Sequence, residues 1–239
     1  MINSEYLINH YSKPYNVWVI DGFLKSEVNE SILKDWPDPN SSVWHGGHKN
    51  IGEKENILET GMIAIDKRED IPSSSLLVLD YFHSENFKNI IEEITNIQNL
   101  IIDETRRWAG VRSMLKNSKQ MIHSDADIHP ESGLKKKLTL IYYLNKDYNR
   151  ERDEGCLEIW DDNVSEKIIE IEPINNRLLI FEDSSKSYHG VPLVKSERKS
   201  IISAFLKKEE TTDRSKALFV SRPQDSKEIS ELGLARSKI

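Results

Sequence analysis

The second half of the chain is dominated by short strand-like runs that alternate with turns. Between about residue 111 and residue 207 these runs are VRSML, KQMIHSD, LTLIYYLN, GCLEIWD, KIIEIEP, NRLLIFE and KSIISAFL. Turn-forming residues separate several of them, as at Asp161-Asp162-Asn163 and Asn175-Asn176. Because no helical pattern intervenes, this spacing predicts an all-β sandwich or barrel rather than a set of βαβ units.

The first half of the chain predicts a smaller mixed region. Residues 16–24, NVWVIDGFL, predict a strand that ends in a turn. Ser26 is the expected N-cap of a helix that continues to Trp36, and Ser84 is the expected cap of a second helix with apolar residues at three- and four-residue steps. The apolar stretch 76–82 fits either a strand or a helix.

Composition suits a soluble globular protein and excludes several classes of function. Hydrophobic residues make up 37% of the 239 residues and charged residues 31%. The net charge of -7 argues against general nucleic-acid binding, which needs a basic surface. The sequence shows neither a signal peptide nor an apolar run long enough for a bilayer, so we predict a cytoplasmic protein with no membrane partner. The single cysteine, Cys156, cannot form an intramolecular disulfide, which fits a reducing compartment.

Three side chains form a candidate metal site. His123 and Asp125 lie in QMIHSDADIHP, and on an extended strand they point to the same face. One imidazole and one carboxylate are two of the three ligands in the 2-His-1-carboxylate set that holds non-haem Fe(II). His189, which follows the run NRLLIFE and precedes Gly190, supplies the second histidine. Gly190 is expected to let the backbone approach a neighbour closely.

Arg198 indicates which co-substrate such a site takes. It lies nine residues after His189, at the start of the strand-like run ERKSIISAFL. A buried arginine near iron needs an anionic partner, and a ligand carboxylate can meet it with two parallel hydrogen bonds. Tyr143 can add a hydroxyl to the same carboxylate. We therefore expect a dicarboxylic keto acid that chelates the metal at one end and contacts Arg198 and Tyr143 at the other, with O2 in the remaining position.

This combination resembles the double-stranded β-helix core of the Fe(II)/2-oxoglutarate-dependent oxygenases, and specifically their prolyl-4-hydroxylase-like branch. The similarity follows the strands in order through KKLTLIYYLNKDY, EGCLEIWD, IEPINNRLLIFE, YHGV and ERKS. The helix ENFKNIIEEITNI and the DGFL–helix region near the N-terminus are similar to the supporting helices of the same enzymes. The resemblance implies a mainly β fold with supporting α-helices around a jelly-roll, cupin-like core.

The resemblance also implies the domain organisation. Residues 1–239 are expected to form a single oxygenase domain. Within it, residues 1–110 are the strand and helix support, residues 111–207 are the double-stranded β-helix core, and residues 208–239 are a polar C-terminal tail. In that tail, only Ala217-Leu218-Phe219-Val220 has the apolar character needed to dock on the core.

The resemblance assigns individual residues. It assigns His123, Asp125 and His189 as the iron ligands. These three residues and Arg198 are the implied catalytic residues. The residues that it places around 2-oxoglutarate are Arg198 at the distal carboxylate, Tyr143 as a supporting hydrogen bond, Leu157 against the methylenes, and Ser200 and Thr139 as further inward-facing contacts.

The sequence departs from the family pattern just before the HxD motif. A tyrosine that relatives commonly place near the keto acid is not evident in AGVRSMLKNSKQM. Its role is either absent here or taken over by Ser113 or Leu115. Many collagen-type members also have a lysine where this chain has Arg198, so the arginine alone does not fix a substrate.

The chemistry implied is the hydroxylation of an unactivated C–H bond. Fe(II), 2-oxoglutarate and O2 are the implied cofactors, with ascorbate as an optional reductant, and succinate and CO2 are released. A prolyl residue in a peptide or protein is the first substrate hypothesis. A glycan, lipid or small metabolite is the alternative within the class. Two alternatives lie outside this class of enzyme. One is a non-catalytic β-helix binding module, and the other is a cupin-type isomerase, which would not need Arg198 to contact a ligand.

Other residues carry open interpretations. The run Lys135-Lys136-Lys137 is expected to be solvated surface rather than a polyanion contact, and Arg106, Arg107 and Arg112 around Trp108 a solvated helix end rather than an anion site. His45 and His48 lie in a Gly-rich loop and are expected to be surface or substrate-contact residues.

The position of several more side chains relative to the site is also open. Asp127 and His129 are either near the metal or stabilise their own loop, and Trp44 and Trp160 either line the cleft or pack in the core. The substrate end is expected in the loops at 37–60, 66–75 and 126–134.

Overall fold

The computed structural model describes residues 1–46, 59–210, 214–227 and 230–231. Within these residues, thirteen strands join one curled, antiparallel sheet. Their order along the main path is β1-β2-β10-β7-β12-β6-β11-β8-β9, and β3, β4, β5 and β13 pair beside it. The strands are β1 (Leu7–Tyr11), β2 (Val17–Asp21), β3 (His45–Gly46), β4 (Glu59–Ile65), β5 (Ile101–Ile102), β6 (Gly110–Ser124), β7 (Lys135–Tyr143), β8 (Leu157–Trp160), β9 (Lys167–Ile171), β10 (Arg177–Glu182), β11 (His189–Val191), β12 (Arg198–Lys207) and β13 (Leu218–Val220). The arrangement is the predicted double-stranded β-helix with supporting helices.

Strand β6 connects the two halves of this sheet. Its first half pairs with β12, where Met114 opposes Arg198, and its second half pairs with β11, where His123 opposes His189. The runs VRSML and KQMIHSD, which the sequence predicts as two strands, are therefore one. Between them Asn117 takes a left-handed φ of 68°, and its N–H donates to the carbonyl of Val194. This irregular segment lets a single strand contribute to both parts of the β-helix.

The α-helices bounded within the described residues accompany the sheet: α1 (Ser26–Lys34), α2 (Ser73–Phe82), α3 (Glu85–Thr95) and α4 (Arg150–Asp153). Ser84 caps α3 as predicted, because its side chain accepts a hydrogen bond from the Phe87 N–H. Ser26 does not cap α1; it is the first helical residue, and the cap position is Lys25, with no side-chain hydrogen bond. The ambiguous stretch 76–82 is helical. No described helix has both the length and the apolar character needed to span a bilayer.

Aromatic packing attaches the helices to the sheet. Phe87 of α3 is fully buried and stacks on Phe82 of α2 at a centroid distance of 4.6 Å. The same ring lies 6.1 Å from Phe23 and 6.1 Å from Phe205 of β12. Because β12 begins at Arg198, this cluster fixes the outer face of a strand whose inner face belongs to the candidate site.

The C-terminal segment docks where the sequence predicted, but it also contributes a buried charge. Strand β13 pairs with the end of β6, so that Phe219 opposes His123. Beyond it, Arg222 is only 7% exposed and forms an ion pair of 2.8 Å with the buried Glu158 of β8. Removal of either partner of such a buried pair strongly destabilises the folded protein, because the other charge is left buried and unpaired. The docked segment therefore extends beyond residues 217–220 to include Arg222.

Truncation of Phe87 tests the role of the aromatic cluster. We expect Phe87→Ala to lower the free energy of unfolding by about 3–5 kcal/mol, because it leaves a cavity between α3, α2 and β12. Leu77→Ala, at a position of α2 that is 56% exposed, is the control and should change stability by less than about 0.5 kcal/mol. Urea unfolding followed by circular dichroism measures both; equal effects would show that the cluster does not stabilise the fold.

Candidate active site

The pairing of β6 with β11 brings the three predicted metal ligands together. One ligand atom from each of His123, Asp125 and His189 lies within 4.8 Å of the other two. Asp125 Oδ1 is 3.3 Å from His123 Nε2, and the two imidazole rings are 4.3 Å apart between centroids. Among the residues that the structure describes, this is the one group of three such side chains that could hold a metal ion.

Backbone carbonyls orient both imidazoles for metal binding. His123 Nδ1 donates to the carbonyl of Met121 and His189 Nδ1 to the carbonyl of Ser187, each at 2.9 Å. Each Nε2 is then left with a lone pair, which is the form that binds a metal. Burial, together with the nearby His123, lowers the pKa of His189 to about 3, so this imidazole is neutral at physiological pH. Two imidazoles and a carboxylate are the ligand set that suits Fe(II).

Lys136 holds the carboxylate of this group. It is only 4% exposed, and its Nζ lies 2.5 Å from Asp125 Oδ2 and 3.7 Å from Asp183 Oδ1. Burial alone would raise the pKa of Asp125, but the charge of Lys136 keeps that pKa well below its usual range. Asp125 therefore stays ionised, with Oδ2 held by the lysine and Oδ1 on the side of His123.

The expectation that Lys135-Lys136-Lys137 is solvated surface is wrong. Lys136 points inward, and Lys137, which is 9% exposed, forms ion pairs with Glu182 at 2.8 Å and Glu209 at 2.9 Å. The burial is tolerated because each ammonium meets carboxylates from other strands. Those partners are distant in the sequence, so the basic run alone could not reveal them.

Arg198 is a buried cation without a protein carboxylate. It is 6% exposed, its Nη2 donates to the Tyr143 hydroxyl at 2.8 Å, and its Nη1 lies 3.7 Å from Met114 Sδ. Its Nε has no hydrogen-bond partner, and no acidic residue within the described ranges forms an ion pair with it. Because an uncompensated buried charge is costly, the arrangement calls for an anionic ligand.

A cavity of about 580 Å³ joins the metal-ligand group to Arg198. Leu157, Ser200 and Thr139 line it, in agreement with their predicted inward orientation. The Thr139 hydroxyl, however, donates to Asp183 at 2.7 Å and is engaged there. Tyr143 is fully buried behind Arg198, with its ring 4.8 Å from the guanidinium carbon.

Met114 occupies the place where we expected Ser113 or Leu115. Alternation along β6 turns Met114 into the cavity, opposite Arg198. Ser113 points away and donates to Glu197 at 2.7 Å, while Leu115 packs against the main hydrophobic core. Neither residue therefore replaces the tyrosine of the family pattern.

The other histidine and tryptophan candidates that the structure describes do not line the cavity. Trp44 and Trp160 are buried in core clusters, and His129 contacts Asp103 at 3.2 Å, which stabilises its own loop. His45 belongs to β3 and pairs with Asp66 at the surface, at 2.8 Å. His48 lies outside the described residues.

The described residues test two of the three loops expected to form the substrate end. The loop 126–134 contributes Ala126 to the cavity and 66–75 contributes no lining residue, while residues 47–58 of the loop 37–60 lie outside the described residues. The expected helix end around Trp108 is instead a loop leading into β6. Trp108 lines the mouth, as do residues 215–217 of the C-terminal segment. The apolar run at 217–220 predicted that this segment docks, but not that it reaches the cavity, because that position depends on the pairing of β13 with β6.

Comparison with known proteins supports this geometry. Residues 109–207 match the sequence model of the 2OG-Fe(II) oxygenase superfamily. The fold is similar to a prolyl hydroxylase from Trichoplax adhaerens, solved in complex with a peptide fragment of the hypoxia inducible factor oxygen degradation domain. The TM-score is 0.57 at 17% identity, over 80% of this chain and 83% of that one.

A second similar fold is a prolyl-4-hydroxylase from Pseudomonas putida, with a TM-score of 0.56 at 12% identity, over 80% of this chain and 92% of that one. A prolyl 4-hydroxylase from Phytophthora capsici has a TM-score of 0.53 at 15% identity, over 80% and 58% of the two chains. No curated protein sequence matches. At these identities the structural similarities establish the fold.

Removal of the Lys136 charge tests its action on Asp125. We expect Lys136→Met to weaken divalent metal binding about 10–100-fold, because the carboxylate loses the group that orients it and keeps it ionised. Lys137→Met removes the same charge one residue away and should leave metal affinity unchanged. Calorimetric titration with Mn(II) under matched conditions compares the two; equal affinities would contradict this role.

Proposed function

We propose that this chain, whose residues 109–207 belong to the 2OG-Fe(II) oxygenase superfamily, is an Fe(II)- and 2-oxoglutarate-dependent dioxygenase that hydroxylates an unactivated C–H bond. The observation that carries the proposal is the cavity that has the His123–Asp125–His189 group at one position and the unpaired Arg198 at another. A metal ion would bind the three-residue group, and a dianionic keto acid would contact the metal at one end and pair with Arg198 at the other.

In this proposal His123 Nε2, His189 Nε2 and Asp125 Oδ1 hold the iron. The carbonyls of Met121 and Ser187 keep the imidazoles in the tautomer that offers Nε2. Lys136 keeps Asp125 charged. When bound, iron and 2-oxoglutarate supply the oxidising chemistry, in which one atom of O2 enters the C–H bond and the co-substrate leaves as succinate and CO2.

Arg198 binds the distal carboxylate of 2-oxoglutarate. Its Nη2 is fixed by Tyr143, and no acidic residue among those described pairs with the guanidinium, so its charge is available to the ligand carboxylate. Burial of this pair excludes water and strengthens the ion pair with the ligand. Leu157 packs against the methylenes of 2-oxoglutarate, and Ser200 offers a hydroxyl on the same face of β12 as Arg198. Thr139 lines the cavity wall and donates a hydrogen bond to Asp183.

The proposed substrate is a prolyl residue in a peptide or protein. Support comes from the similar folds, which are prolyl hydroxylases, one of them solved with a peptide fragment. The cavity also opens at a mouth built from separate segments, with Trp108 on one side and residues 215–217 on another. A mouth of this kind can admit part of a longer chain.

Release of succinate tests the activity. The wild-type protein with Fe(II), 2-oxoglutarate and O2 should form succinate, and Asp125→Ala should form none above background, because it loses the anionic ligand. Succinate is measured by mass spectrometry. Substantial turnover by Asp125→Ala would place the metal elsewhere, and no turnover or metal binding by the wild type would reject the enzyme.

Arg198→Met tests the co-substrate site. Removal of its charge-assisted hydrogen bonds, worth about 3 kcal/mol, should weaken 2-oxoglutarate binding about 100-fold. Lys199→Met, whose side chain pairs with Glu197 at 3.4 Å, is the matched control and should bind normally. Calorimetry with the Zn(II)-loaded protein measures affinity without turnover. Unchanged binding in Arg198→Met would favour an isomerase-like or non-catalytic use of the fold.

A mass-spectrometric screen for a gain of 16 Da identifies the substrate class. Proline-containing peptides, cellular proteins and small metabolites are compared, with His123→Ala as the inactive control. We expect the modification on proline in peptides. Modification confined to glycans, lipids or small metabolites would refute the prolyl assignment and leave the oxygenase assignment intact.

A further inference from the structure

Arg112 is a second arginine in the cavity, and the proposed chemistry leaves it without a role. It lies on β6, two residues before Met114, and its side chain lines the same cavity as the metal-ligand group and Arg198. Its Nη1 donates to the carbonyl of Val111, its own neighbour in the chain, at 3.0 Å. The sequence favoured a solvated helix end over an anion site for this arginine, but the side chain is half-buried in a wall of the cavity.

Strand register places Arg112 between the co-substrate arginine and the cavity mouth. Along β6 and β12, Met114 opposes Arg198, Arg112 opposes Ser200 and Gly110 opposes Ile202. Strand β12 then continues to Leu206, which opposes Lys136, the residue that contacts Asp125. Successive inward positions on a strand are roughly 7 Å apart, so Arg112 lies one step from Arg198 towards the metal end.

The backbone makes room for the guanidinium on the mouth side. Gly110 has a φ of +145°, and a Cβ at this position would lie 2.7 Å from Arg112 Nη1. The same Cβ would lie 2.6 Å from the carbonyl oxygen of Ile65, so the backbone itself requires glycine here, and the absence of a side chain leaves room for the guanidinium. Nη1 of Arg112 therefore lies next to Gly110, on the part of β6 that precedes Met114.

No acidic residue within the described ranges forms an ion pair with Arg112. The nearest carboxylate to influence it is Asp66, which is itself paired with His45 at 2.8 Å. Burial lowers the pKa of Arg112, and Asp66 opposes this effect only in part. An arginine that is partly desolvated and lacks an ion pair is suited to bind an incoming anion.

The charges around the cavity also leave an excess of positive charge. Among the described residues that line it, the charged side chains are four cations and one carboxylate: Arg112, Lys136, Arg198, Lys216 and Asp125. The metal and Arg198 balance the two carboxylates of 2-oxoglutarate and that of Asp125, while Asp183 lies behind Lys136. Arg112 and the exposed Lys216 remain, although the chain as a whole carries a net charge of -7. The excess is therefore local to the mouth, where the substrate enters.

We propose that Arg112 selects an acidic peptide, binding the carboxylate of an Asp or Glu close to the residue that is hydroxylated. The proposal rests on the proposed function, because it takes the space between Arg112 and the metal to be the substrate site. The planar guanidinium donates two parallel hydrogen bonds to the carboxylate, and Lys216 adds a second positive charge at the rim. Arg112 is thus a specificity-determining residue, distinct from the arginine that holds the co-substrate.

Peptide retention tests the proposal without turnover. A library of peptides with a central proline and varied flanking positions is passed over immobilised protein loaded with Zn(II) and 2-oxoglutarate. Retained peptides are sequenced by mass spectrometry. We expect at least a tenfold enrichment of Asp or Glu at a fixed distance from the proline, compared with Asn or Gln at the same position.

Two variants separate Arg112 from general charge effects. Arg112→Gln should reduce the preference for acid over amide to less than twofold. Arg107→Gln removes the same charge from an exposed side chain of the loop before β6, outside the cavity lining, and should keep the preference. Circular dichroism and unchanged 2-oxoglutarate binding show that each variant is folded.

The outcomes distinguish this proposal from the proposed function. Retention without an acid preference, no retention at all, or an acid preference that persists in Arg112→Gln would each overturn the role of Arg112. Succinate release measures the oxygenase independently. If the enzyme is active but shows no acid preference, only the role of Arg112 is rejected. If the acid preference depends on Arg112 but no succinate forms, only the oxygenase function is rejected.

Discussion

The candidate site depends on the antiparallel pairing of β6 with β11. This pairing sets His123 directly opposite His189, and the extended chain of β6 then carries Asp125 to the same place. A shift of the register by one residue would turn the two histidines to opposite faces of the sheet, and the three ligands would no longer lie together. The close approach needs Gly190, where a Cβ would lie 3.1 Å from Ile122 Cα. The site is thus a consequence of strand register.

Buried charges determine what the cavity can bind. Lys136 is satisfied by Asp125 and Asp183, and Arg222 by Glu158. Arg198 has a tyrosine and a thioether but no carboxylate among the described residues. Charges inside a protein are stable only when they are paired. Lys136 is therefore a structural cation, whereas Arg198 needs an anionic ligand.

Much of the site could be predicted from the sequence because its parts obey short-range rules. The HxD spacing, the strand alternation and the order of the strand-like runs indicated which side chains face inward, and the cavity contains the predicted set at Leu157, Ser200 and Thr139. The cap of α3 at Ser84 was equally readable, since it depends on residues within one helical turn.

The features that escaped prediction depend on contacts distant in sequence. Lys136 looked like surface because its partners Asp125 and Asp183 lie on other segments. Met114 rather than Ser113 or Leu115 faces Arg198, because the phase of β6 is fixed by its pairing with β12 and not by its own residues. The C-terminal wall of the cavity follows from the docking of β13 on β6. In each case the deciding partner lies on another strand.

The most direct test of the account is an anaerobic titration of 2-oxoglutarate into the Fe(II)-loaded protein, followed by visible absorption. A keto acid that chelates iron through its keto oxygen and carboxylate gives a metal-to-ligand charge-transfer band, so this spectrum reports the iron and the co-substrate in contact. The account predicts a saturable band in the wild-type protein and no band in His189→Ala. A wild-type protein that binds both Fe(II) and 2-oxoglutarate without this band would contradict it, because the two would then occupy separate places.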